Sequence, residues 1–227
     1  GGTLTVNGDI QEDEPSVDAA QLHFDGGTMN VSGDITVQRF AVAQNGGTNS
    51  SYTIPSGPTV TSTGTTAVGS NGTGVINIPA GATLDSSNAV VGESNSADGE
   101  VNITGGTWTG GRVSIGNNGP GRLNLTSGTL DIGELRIADA NNGSGQFVMG
   151  TADGSTSPGA TISGQIETAD NAAGSSTFWS GTLTQTNGNF ITGQSVGSES
   201  TVQVGGGAGT ATLNLDGGDG NRDWNTN

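Results

Sequence analysis

The chemistry open to this 227-residue chain rests on 21 carboxylates, five arginines and one histidine; there is no cysteine and no lysine. The carboxylates gather twice, as Asp9, Glu12, Asp13, Glu14 and Asp18 near the start and as Asp216, Asp219 and Asp223 near the end. Oxygen-only clusters in turn-rich segments suit Ca2+, which accepts irregular coordination. These residues are therefore the candidate metal ligands, with a solvated acidic loop as the other reading. Their spacing matches no EF-hand.

The remaining chemistries find little support. His23 stands between Leu22 and Phe24, so in a strand it points outward, away from any identifiable serine or carboxylate partner. Without lysine no Schiff base forms, and without cysteine there is no thiolate nucleophile or thiolate metal site. Gly72-Thr-Gly74, Gly119-Pro-Gly121, Gly143-Ser-Gly145 and Gly207-Ala-Gly209 lead into strand patterns and lack the lysine of a phosphate loop. A polysaccharide-cleaving or glycan-binding groove would need exposed aromatics and free carboxylates. Trp179 is the candidate sugar platform, beside an inward Phe178. A column of Thr28/Asn30, Thr59/Thr61, Thr83/Asp85, Thr107/Thr109, Thr129/Asp131, Thr161/Ser163 and Thr182/Thr184 raises ice binding, with the two aspartates interrupting the array.

A net charge of −16 argues against nucleic acid as a partner, because that needs phosphate neutralisation. It is compatible with divalent cations, cationic surfaces or solubility in a salty medium. No apolar run approaches the ~20 residues of a membrane-spanning helix, so membrane insertion is not expected.

These residues are positioned by a repeat. Residues 100–119 superpose on residues 122–141 at an offset of 22, matching Val101 to Leu123, Trp108 to Leu130 and Ile115 to Ile137. Each unit holds three short apolar-polar-apolar runs separated by Gly, Ser or Asn, which describes three strands and three turns. One such unit per period is the pattern of a solenoid. The chain is read as all-β: a single parallel β-helix over residues 1–227, with about three short strands and roughly 22–25 residues per coil. Forty-three glycines and only 30% apolar residues fit a narrow coil better than a thick globular core.

The first apolar position of successive coils is read at Leu4, Leu22, Tyr52, Ile76, Val101, Leu123, Phe147, Phe178 and Val202. Irregular spacing places corner insertions near residues 11–20, 40–51 and 151–158, with a C-terminal tail at 216–227. The register predicts neighbouring charge pairs Glu100–Arg122, Arg112–Glu134 and Arg136–Glu167. It also predicts an outward asparagine column of Asn77, Asn102, Asn124 and Asn214.

The phrases Gly-Gly-Thr-Leu-x-Val and Gly-x-Leu-Asn-Leu-x-Ser-Gly-Thr-Leu-x-Ile resemble the strand repeats of bacterial autotransporter passengers and related large secreted surface proteins. The resemblance implies a secreted or cell-surface β-solenoid. The chain opens on Gly-Gly-Thr-Leu inside a repeat, so a processed product or excised piece is expected. The expected function is a non-catalytic extracellular scaffold, adhesin or fibre subunit stacking head to tail with copies of itself, with no cofactor except possible Ca2+. A glycan or another cell-surface ligand is the further candidate partner, and a glycan-binding or glycan-cleaving β-helix is the rival function.

Overall fold

A computed structural model describes residues 2–12, 20–139, 143–168, 173–178, 181–185, 190–192, 200–204 and 210–215. Its described residues form strands and turns without a helix, and the strands stack in parallel as a β-solenoid of about seven turns. The first coil comprises β1 (Thr3–Val6), β2 (Ile10–Gln11) and β3 (Gln21–Phe24). The next three comprise β4 (Thr28–Val31) with β5 (Ile35–Val42), β6 (Asn49–Thr53) with β7 (Thr59–Val68), and β8 (Thr73–Pro79) with β9 (Thr83–Val91). Two long bent strands, β10 (Asp98–Ile115) and β11 (Pro120–Ile137), each traverse all three faces. Then come β12 (Ser144–Met149), β13 (Gly159–Ile162), β14 (Ile166–Thr168), β15 (Ala173–Phe178), β16 (Gly181–Gln185), β17 (Phe190–Thr192), β18 (Ser200–Val204) and β19 (Ala211–Leu215).

Alternating polarity dictates this arrangement. In the first-face run of β10, Val101 and Ile103 are fully buried, whereas Asn102 between them is half-buried and faces outward. The register Tyr52–Ile76–Val101–Leu123–Phe147 places one inward side chain above the next. On the second face Val60, Leu84, Trp108, Leu130 and Ala160 do the same. Burial of these columns against their neighbours is what a single coil cannot achieve, so the coils are stable only as a stack.

The corner between the third and first faces is backbone packed on backbone. Ala43, Gly69, Gly92, Gly116 and Ala138 all adopt positive φ there. A glycine follows in four of these coils, at Gly74, Gly99, Gly121 and Gly145, and Ser50 takes that position after Ala43. A Cβ on Gly121 would lie 2.3 Å from the Gly116 nitrogen and 2.4 Å from the Val91 oxygen. Such separations forbid any side chain, so the position is glycine by steric necessity.

Several details of the register differ from the sequence reading. Leu22 lies on the third face, paired with Phe40, and Met29 takes the first-face position beside Leu4. The second-face strand of the first coil has only two residues, so the segment after it resembled the opening of a new coil. Thr28 and Asn30 accordingly belong to the first face. Phe178 pairs with Met149, while Ser176 stands between Phe147 and Val202. A buried serine in an apolar column moved the reading by two residues, a slip that preserves the inside-outside alternation and so leaves no trace in it. The expected excursion at 40–51 narrows to residues 43–48, because its flanks are strand, whereas 151–158 does lie in the link between β12 and β13. Of the segment 11–20, Gln11 closes β2 and the rest lies between β2 and β3 in the chain, with 13–19 outside the described residues, as are 216–227.

Candidate functional site

The outward side chains form columns that run from coil to coil. On the first face Asn124 Nδ2 donates to Asn102 Oδ1 at 2.8 Å, and Asn102 Nδ2 donates to Asn77 Oδ1 at 3.2 Å. Asn77 completes the ladder by reaching the Ser51 and Thr53 hydroxyls, each at 3.3 Å. The predicted fourth member, Asn214, sits instead on the second face beside Thr184.

The third face carries a partly buried ion network. Arg112 Nε donates to Glu134 Oε2 at 2.8 Å, and Arg136 Nε to Glu134 Oε1 at 2.7 Å. Arg136 also reaches Asp139 at 3.1 Å and lies 3.8 Å from Glu167, whose side chain is only 4% exposed. Burial alone would raise the pKa of Glu134. The hydrogen bonds and charges of Arg112 and Arg136 outweigh that and hold it below the usual glutamate value.

Two of the three predicted pairs therefore meet. The third does not: Glu100 and Arg122 are register neighbours, yet Arg122 Nε donates to Gln146 Oε1 at 2.6 Å and Glu100 accepts from Asn124 at 3.2 Å. Sequence reasoning missed a further bridge, Arg39 to Glu93 at 2.8 Å, which spans two coils past Ser70. Single-coil spacing gives no hint of it.

Of the predicted Ca2+ ligands, Asp9 and Glu12 are described, and Asp13, Glu14, Asp18, Asp216, Asp219 and Asp223 lie outside the described residues. Asp9 Oδ1 accepts from the Asp34 backbone N–H at 2.9 Å, and Asp34 Oδ1 accepts from Thr59 N–H at 2.7 Å. Glu12 Oε1 accepts from Ala20 N–H at 3.2 Å. Both described acids thus act as backbone caps, and among the described residues no group of three potential metal ligands comes together. The 25-residue spacing of Asp9 and Asp34, one coil, was the available signal.

His23 faces outward as expected, bonded to Gln21 at 2.9 Å. The second-face threonine column has a corrected register, with Gly159/Thr161 replacing Thr161/Ser163 and Thr212/Asn214 added. Trp179, the expected sugar platform, lies outside the described residues.

A trough of about 520 Å3 crosses β10, β11, β12 and β15 on the first face. Arg122 stands in it among Asp98, Glu100, Ser144, Gln146 and Ser175. No family model matches this chain, and neither a curated protein nor a solved structure shows significant similarity to it.

Proposed function

We propose that this chain is a non-catalytic structural or adhesive β-solenoid of the cell exterior, whose coils stack head to tail with further coils into a fibre or surface layer. The observation that carries this reading is at the ends of the described stack. Leu4 in the first coil is 48% exposed and Val204 in β18 is 46% exposed, whereas inward residues of the middle coils, Ile76, Val101 and Leu123 among them, are fully covered. Each end combines apolar side chains with a strand edge able to accept another parallel strand. The lateral charges support the same reading, since Arg39, Arg112 and Arg136 are committed to bracing successive coils. The extracellular assignment rests on the resemblance of the repeat phrases to surface proteins.

Negative-stain electron microscopy and sedimentation, with and without Ca2+, test the proposal. Uniform filaments that grow with concentration are expected, and Leu4→Glu should shorten them by placing a charge on the apolar end. Monodisperse monomers at high concentration in both conditions would refute it.

A further inference from the structure

We propose that the first-face trough around Arg122 binds an acidic saccharide, its carboxylate taken by the Arg122 guanidinium and its hydroxyls by the surrounding polar groups. This is a binding function beyond the structural role and does not depend on it.

The argument begins with the fold. The corner glycines Gly121, Gly145 and Gly174 occupy successive positions of one column. At Gly121 and Gly145 backbone atoms lie within 2.5 Å of where a Cβ would sit, so no side chain can stand there. This closely packed backbone column lines the trough, which runs beside it across four coils.

The walls are chemically unlike the other faces. Arg122 is the one arginine among the described residues without a carboxylate in ion-pair range. Its Nε is fixed by Gln146 at 2.6 Å, which orients the guanidinium and leaves both terminal nitrogens available. A planar fork of this kind matches a carboxylate in bidentate fashion. Asp98, Ser144 and Ser175 line the same trough, and their side chains make no hydrogen bond with another described residue.

Charge narrows the ligand. In a chain of net −16, with Asp98 and Glu100 beside the arginine, a bare anion gains little from long-range attraction. The ligand must therefore also donate hydrogen bonds to carboxylates and to Gln146. A sugar ring bearing one carboxylate and several hydroxyls does both.

Isothermal titration calorimetry on the whole chain tests the site, with tetragalacturonate as the probe and a neutral tetrasaccharide as its counterpart. The expected result is saturable binding of the uronate and at least about tenfold weaker binding of the neutral sugar, the loss of one charge-assisted contact. Arg122→Gln should weaken the uronate by a similar factor, whereas Asp131→Asn on the second face should leave it unchanged. Ser144→Tyr, which fills the trough from an exposed position, should abolish binding and serves as a second variant should Arg122→Gln lose its native circular dichroism. No saturable binding to the wild-type chain, equal affinity for the neutral sugar, or unchanged affinity in a folded Arg122→Gln or Ser144→Tyr variant would each overturn the proposal. Filament formation is read separately, so failure of the stacking proposal is distinguishable from failure of this one.

Discussion

The steric corner can be tested by comparing two glycines that share a backbone conformation and differ in surroundings. Gly92 has φ +75° and Gly47 has φ +76°. A Cβ on Gly92 would lie 2.1 Å from the Pro120 oxygen and 2.6 Å from its carbonyl carbon, while a Cβ on Gly47 would meet nothing within 4 Å. Gly47→Ala therefore carries only the left-handed cost, about 1–2 kcal/mol. Gly92→Ala adds displacement of the next coil's backbone, comparable to overpacking at about 1–3 kcal/mol, for a total of about 2–5 kcal/mol. Urea unfolding followed by far-UV circular dichroism reads the difference. With a slope of about 2–3 kcal/mol per molar urea, the midpoint should fall by roughly 0.5 M for Gly47→Ala and by about 1–2 M for Gly92→Ala. Ala43 and Ala138 already hold φ of 57° and 59° in the same corner column, so the dihedral alone does not exclude a methyl. Equal midpoint shifts for the two variants would refute the claim that backbone contact between coils fixes glycine at this corner.

Three further outcomes follow from buried polar groups. Trp108 Nε1 donates to Ser86 Oγ at 2.8 Å inside the core, so Ser86→Ala leaves a buried indole N–H without its partner and should cost about 1–3 kcal/mol in the same unfolding assay. Glu134 has a folded pKa below its ordinary value; its contribution is present above the unfolded value and lost as pH falls through the folded one. Stability of the wild type should accordingly decline below about pH 4.5, and Glu134→Gln should remove that part of the slope. Tyr52, the chain's single tyrosine, is pushed up to about 12 by burial among Phe24 and Phe40. Phenolate absorbance should therefore rise near pH 12 in the folded chain rather than near 10. The stability this group contributes is complete below 10 and lost between 10 and 12, a loss Tyr52→Phe should abolish.

Much of this fold was legible because its physical requirements repeat. The offset of 22 between β10 and β11 is confirmed pair by pair from Gly99–Gly121 to Ile115–Ile137, apart from a bulge between Ile103 and Thr107. Periodicity faded wherever a column carried an atypical member. Ser176 replaced an apolar residue, and the two-residue β2 was too short to show alternation. The candidate site was less legible for a different reason. Register predicts which residues are neighbours, but not which of several neighbours a long side chain chooses. Arg122 was aligned with Glu100 and turns to Gln146, and Arg39 passes over its adjacent coil to reach Glu93.

In a solenoid each outward position is offered again in every coil, so a column that continues unbroken tends toward mutual bracing. The asparagine ladder illustrates this: each amide satisfies the next, leaving little for a ligand. Binding chemistry should then be sought where a ladder breaks. The first face breaks its asparagine ladder after Asn124, where Val148 follows, and on the adjacent column Glu100, Arg122, Gln146 and Ser175 succeed one another without two alike. That irregular column flanks the corner glycines Gly121, Gly145 and Gly174. The packed glycine column gives the trough a backbone lining, and the departure from repetition supplies its unlike polar groups. Replacing Arg122 and Gln146 by asparagine, which lays a second amide ladder along this column, should stabilise the stack or leave it unchanged while removing uronate binding, which would separate the two roles that this one face serves.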